Sequence, residues 1–330
     1  MLAQVLLGAD LVAAAIMLFG SLTPAFAEPI YILSAAFALG LCFGISNITL
    51  LSVGPEIAGS EGRYKFNGQL LSMQAAATVV SGLTVGFVYA AGPITYHLII
   101  AGFVFLFSGA LTAVRARGIR IATSTTPKKR GRLLDIATAG FSLAVILMIL
   151  GRGIEAFGSG VHNVGFPLLS AAFDPTSKAR LAGFLLSAWG IGRIFSGFIV
   201  PKLLKHLSAN TSKIAAFFFV ANALTFVFFM AVFQLTSLPE ILCFAALAGL
   251  FDAATEIAYY SYLQANTSEL RDKLLSTSYI LERLALFSGI LLAGFMLGHF
   301  SLPAASALIY SASIFFIAVF AAFFLAVTRR

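Results

Sequence analysis

The stretch ILMILGRGIEAFGSGVHNVGF, residues 146–166, decides the fold: an arginine, a glutamate and a histidine lie inside an apolar run long enough to cross a bilayer. About 20 helical residues span a ~30 Å hydrocarbon core. A charge near the centre of such a span costs about 2.5–3.5 kcal/mol on insertion scales, so Arg152, Glu155 and His162 need partners, water or a function. At 100° per residue the three project within about 80° of one another. The helix has one polar face.

The rest of the chain shares this apolar background. Only 10% of residues are charged and 60% are hydrophobic, against about 25% charged in ordinary soluble domains. The composition implies an all-α integral membrane protein, because continuous apolar runs, unlike alternating ones, satisfy their backbone within helices. Ten spans are predicted, at 3–21, 30–53, 69–90, 95–114, 139–169, 180–201, 213–234, 240–262, 274–297 and 303–327.

The net charge of +8 is a matter of topology. With both termini in the cytoplasm, sixteen of the Lys and Arg residues fall in inside loops and only Lys178 and Arg180 in outside ones, a strong positive-inside pattern. This argues against nucleic acid as a partner and for the lipid bilayer, with anionic headgroups near the inside loops. Cys42 and Cys243 both fall within spans and suggest neither a disulfide framework nor a metal site. No cofactor motif is present. The opening residues end in Ala25-Phe26-Ala27, which mimics a secretory cleavage site. Asp10 and the lack of a basic start favour an uncleaved span.

The segment RARGIRIATSTTPKKRGR, 115–132, has no acidic residue and reads as a cytoplasmic linker. It divides the chain into an N-terminal half at 1–114, the linker at 115–138 and a C-terminal half at 139–330, four helices plus six. LLSMQAAATVVSGLTVGF at 70–87 loosely echoes LLSTSYILERLALFSGILLAGF at 274–295, and each is the next-to-last span of its half. Internal repeats of this kind are common in transporters.

Three passages carry a family resemblance. They are GFLLSAWGIGRIFSGFIVPKLLKH at 183–206, AGLFDAATEIAYYSYLQANTSELRDKLLSTSYILERLALFSG at 248–289, and SNITLLSVGPEIAGSEGRYKFNGQLLSMQAAATVVSG at 46–82. In layout the chain resembles the major facilitator superfamily, particularly the bacterial branch that exports drugs or siderophores. The resemblance implies that the three passages correspond to helix eight and its basic loop, helices ten to eleven, and helices four to five. The family's first two helices then have no counterpart here. Gly197, Lys202 and Lys205 fit the second-half loop signature while Pro201 departs from it, and Gly82 and Gly86 keep the fifth-helix glycines without the proline.

Within the C-terminal half, Asp252 and Glu256 are four apart on one helical stripe. Two like charges there repel unless one is protonated or a cation intervenes. With Arg152, Glu155 and His162 they make the candidate substrate or proton pathway, Asp252 being the best candidate for titration. Arg193, Glu282 and Arg283 are gate or ion-pair candidates, Arg193 facing an acidic neighbour. The glycines at 151, 153, 158, 160 and 165 weaken the helix and permit a bend or close helix contact, and a broken polar helix at mid-membrane is what a transport pathway would use. Trp189, Tyr259, Tyr260 and Tyr262 are candidates for an aromatic cavity wall.

The pattern points to a secondary transporter of the multi-pass type in a bacterial inner membrane, working as a monomer by alternating access. Proton-coupled export of a small amphipathic or chelating molecule follows from the acidic residues and the resemblance together. A truncated or degenerate transporter without autonomous transport is the alternative. A membrane-embedded enzyme is disfavoured, because His97, His162, His206 and His299 are scattered without a His-Glu-x-x-His pair and Ser159 lacks a Gly-x-Ser-Gly setting.

Overall fold

The computed structural model describes residues 2–22, 29–88, 94–116, 142–176, 179–207, 211–265 and 268–328. These residues form nine helices and no strand: α1 (Leu2–Leu22), α2 (Pro29–Val88), α3 (Ile94–Ala116), α4 (Leu143–Phe173), α5 (Arg180–Leu207), α6 (Thr211–Gln234), α7 (Leu238–Leu263), α8 (Ser268–Leu297) and α9 (Leu302–Thr328). Eight helical stretches among them are long and apolar enough to cross a membrane, and Leu6–Leu22 and Leu98–Leu111 are shorter apolar helices. The chain is a multi-pass all-α membrane protein.

Two of the predicted spans are joined. The stretch between 53 and 69, expected as a polar loop, is helical on both sides of Gly59, which alone leaves the helical region at φ 71° and ψ 170°. That conformation is open to glycine without a Cβ penalty. Arg63 and Lys65 therefore stand on a helix, as do Arg271 and Lys273 in the first turns of α8. Hydropathy marks the apolar part of each span, whereas helical hydrogen bonding continues into its polar ends.

Packing divides the chain into two units. One comprises residues 1–51 and 91–138, the other 52–90 and 139–330. These boundaries differ from the division at the basic linker, since 52–90 pack with the C-terminal helices. In the first unit α1 lies on α3, with Ser108 donating a 2.9 Å hydrogen bond to Asp10. The linker at 115–132 falls almost wholly outside the described residues.

In the second unit α5 and α6 both pack on α7, α4 packs on α8, and α9 packs on α4 and α6. Small residues set the spacing. The stretch of α2 after Gly59 meets α5 where Gly82 faces the Gly183 backbone and Gly190 faces Ala75, so that a Cβ on Gly190 would lie 3.1 Å from the Ala75 carbonyl oxygen. Backbones can approach this closely only where side chains are absent. Large apolar side chains such as Phe195, Phe198, Leu284, Phe287 and Phe295 point outward while Glu155, Asp252, Glu256 and Glu282 are buried. This inside-out distribution suits an apolar solvent.

Candidate functional site

The helix that carries the opening stretch starts later than its hydropathy suggests. Ser142 caps α4, its side chain accepting from the Val145 amide, so Arg152 and Glu155 stand roughly 14 and 18 Å along the helix at 1.5 Å per residue. Its glycines do not break it. α4 is continuous from Leu143 to Phe173, and the glycines instead admit neighbours, Gly151 meeting Phe218 and Phe219 and Gly160 meeting the backbone at Gly289. Of the two outcomes these glycines permit, a break and a close helix contact, the structure has the contact: flanking apolar residues keep the backbone helical and glycine lets the neighbours in.

Close packing of α4 on α8 and of α5 on α7 brings charges from four helices together. Arg152 on α4 pairs with Glu155 at 2.6 Å, with Glu282 on α8 at 3.3 Å and with Glu256 on α7 at 3.6 Å. Arg193 on α5 pairs with Asp252 and, at 2.6 Å, with Glu256. Glu256 bridges the two guanidinium groups, one oxygen to each. Asp252 and Glu256 thus escape the repulsion their spacing implies through an intervening cation, Arg193.

The balance of charge is uneven. Two guanidinium groups, Arg152 and Arg193, meet four carboxyl groups, Glu155, Asp252, Glu256 and Glu282. Glu155 also faces the Asp252 carboxyl. That contact repels when both are ionised and becomes a hydrogen bond when one holds a proton. Glu155 has no aligned hydrogen bond on either oxygen, its close approach to Arg152 being an ion pair.

Hydroxyl groups surround the α8 end of the network. Ser278 donates a 2.7 Å hydrogen bond to Glu282 and also contacts the Tyr259 hydroxyl, while Tyr260 donates to Glu282 at 3.5 Å. Ser278 escaped the sequence reading, although its i,i+4 spacing to Glu282 could have exposed it. Tyr259 and Tyr260 are buried beside the carboxylates, while Tyr262 is half-buried. Asn67 was also missed. Its amide donates to Ser261 at 2.9 Å and to Gln264 at 2.8 Å, and Gln264 donates back at 3.1 Å.

Not every candidate joins the cluster. Arg283 is exposed and lies over the Tyr279 ring at 4.5 Å, outside the ion pairs that hold Glu282. Neighbouring helical residues diverge by 100°, so Glu282 faces inward and Arg283 outward. His162 stands apart from the pairs in an aromatic setting, stacked on Phe229 at 4.1 Å between centroids. Trp189 lies 6.4 Å from His162 between ring centroids, and the Arg193 guanidinium lies over the Trp189 ring at 4.6 Å. An apolar groove of about 540 Å³ between α6 and α9, lined by Met230, Gln234 and Pro303 among others, contains none of these residues.

No family model and no curated protein matches the chain. Among solved structures it is similar to a bacterial homologue of the human lysosomal transporter Spinster in an inward-facing, occupied conformation. The identity is 16% and the TM-score 0.49, over 99% of this chain and 82% of that one.

Proposed function

We propose that the protein is a proton-coupled secondary transporter of the major facilitator type that exports a small amphipathic or chelating molecule by alternating access. The observation that carries this reading is the buried network on α4, α5, α7 and α8, with four carboxyl groups against two guanidinium groups. Ion pairing alone leaves two negative charges uncompensated, and burying unpaired charge is costly. Protons arriving at Glu155 and Asp252 relieve that cost. A substrate that alters the ion pairs changes the cost in turn, which is the differential interaction that coupling requires.

Arg193 is the natural hinge of the exchange, because it holds Asp252 and Glu256 on α7 from α5. When Asp252 gains a proton its attraction to Arg193 weakens, and α5 and α7 lose part of what ties them across the network. The test is profiling of amphipathic and chelating compounds in proteoliposomes with an imposed pH gradient. Accumulation of at least one compound that collapses with the gradient supports the reading. Accumulation that ignores the gradient, or none for any compound, refutes it.

A further inference from the structure

We propose that the outward face of α8 is an interaction surface for a membrane helix of another protein that carries a carboxyl group at mid-bilayer depth. Arg283 is exposed and stands roughly 20 Å from either end of the Leu270–Leu297 span at 1.5 Å per residue. That is the middle of the span. Ile280, Leu284, Phe287, Leu291 and Phe295 share its side of the helix, within about 120° at 100° per residue, and each is between 51% and 63% exposed. Large apolar side chains this open suit a hydrocarbon neighbour rather than a water-filled wall, where their hydration is unfavourable. The guanidinium in their midst does not suit lipid.

The charge is not offset within its own unit. Among the described acidic side chains there, Glu155, Asp252, Glu256 and Glu282 are held by Arg152 and Arg193, Asp272 lies beside Arg271, and Asp174 and Glu240 stand at helix ends. In the first unit Asp10 already accepts a hydrogen bond from Ser108. Arg283 is left over the Tyr279 ring at 4.5 Å, a contact that attracts a cation without neutralising it. A helical side chain leans back over the preceding turn, a reach too short to bring this head to water. An arginine so placed in a membrane pairs with an acid, and a carboxylate matches the guanidinium fork with two parallel hydrogen bonds. A second copy docked through the same face would set Arg283 against its own like, so the partner is a different chain. Its form follows from the solvent, because within hydrocarbon a helix satisfies its own backbone. Gly294 lies on the same stripe, and a Cβ there would meet nothing within 4 Å, so a neighbouring helix can approach closely.

The test places purified protein, dye-labelled at its C-terminus, in phosphatidylcholine vesicles with labelled polyleucine helices that carry Glu, Gln or Leu at the centre. Energy transfer reads association without substrate or pH gradient, so the outcome is independent of the transporter reading. The Glu helix should associate at least tenfold more strongly than the Leu helix, with the Gln helix between them. Arg283→Met should erase that preference, and Arg283→Lys should keep part of it. Gly294→Leu fills open space and leaves the charge alone, and it should weaken association of the Glu helix several-fold. Equal association of the three helices overturns the inference, and so does a Glu preference that survives in Arg283→Met. If Arg283→Met does not fold, association of the Glu helix unchanged in Gly294→Leu overturns it instead.

Discussion

Arg193 holds two carboxylates that would otherwise face each other on the same stripe of α7, Asp252 and Glu256. Its removal leaves buried negative charge without a partner, a change worth about 3–5 kcal/mol when one member of a buried pair is lost. Arg193→Met should therefore lower the melting temperature in detergent markedly at pH 8. Part of the loss should return at pH 5, because protonation of the stranded carboxyl groups removes the repulsion. Arg283→Met is the contrast. Arg283 is exposed and touches only the face of Tyr279 among the described contacts, so its loss should cost less than about 1 kcal/mol and show no such pH dependence. Comparable destabilisation by both variants would mean that the network is not what Arg193 supports.

Helices rather than single side chains determine how closely the charges meet. A Cβ on Gly192 would collide with the Ala246 carbonyl oxygen, and one on Gly289 with the Phe157 carbonyl oxygen, whereas a Cβ on Gly294 would meet nothing within 4 Å. The first contact sets α5 on α7 and the second sets α8 on α4, two pairs of helices that are also joined by ion pairs. Gly192→Ala and Gly289→Ala should each destabilise by about 1–3 kcal/mol, the ordinary cost of overpacking. Gly294→Ala should be neutral or stabilise by up to about 1 kcal/mol from helix propensity. Thermal melts of the three variants check this, and equal shifts would deny the seams their role. Hydropathy and helical spacing already place Arg152 beside Glu155 and Asp252 beside Glu256, because those relations lie within one helix. That Arg193 answers Asp252, that Glu282 turns inward while Arg283 turns out, and that Asn67 clasps Gln264 depend on which helices become neighbours. Local sequence does not encode that choice. The glycines of α4 show the same limit: their composition permits either a bend or a close contact, and the neighbouring helices decide for contact.

At the scale of the whole molecule, the proposed transport cycle ties proton movement to substrate movement through the burial of excess acid. The spans and the apolar exterior were legible from composition, since every membrane helix must satisfy its own backbone and present apolar side chains to lipid. Of the proposed coupling, the sequence displays only a set of acidic residues in apolar surroundings. The four-to-two balance of the network appears once α4, α5, α7 and α8 are brought together. The most direct measurement is flux of one transported compound in proteoliposomes, made both with an imposed pH gradient and as exchange without one. Asp252→Asn and Glu155→Gln should each reduce gradient-driven flux at least tenfold, while exchange and membrane insertion stay within a factor of about three of the unaltered protein. Gradient-driven flux unchanged in both variants would contradict the account.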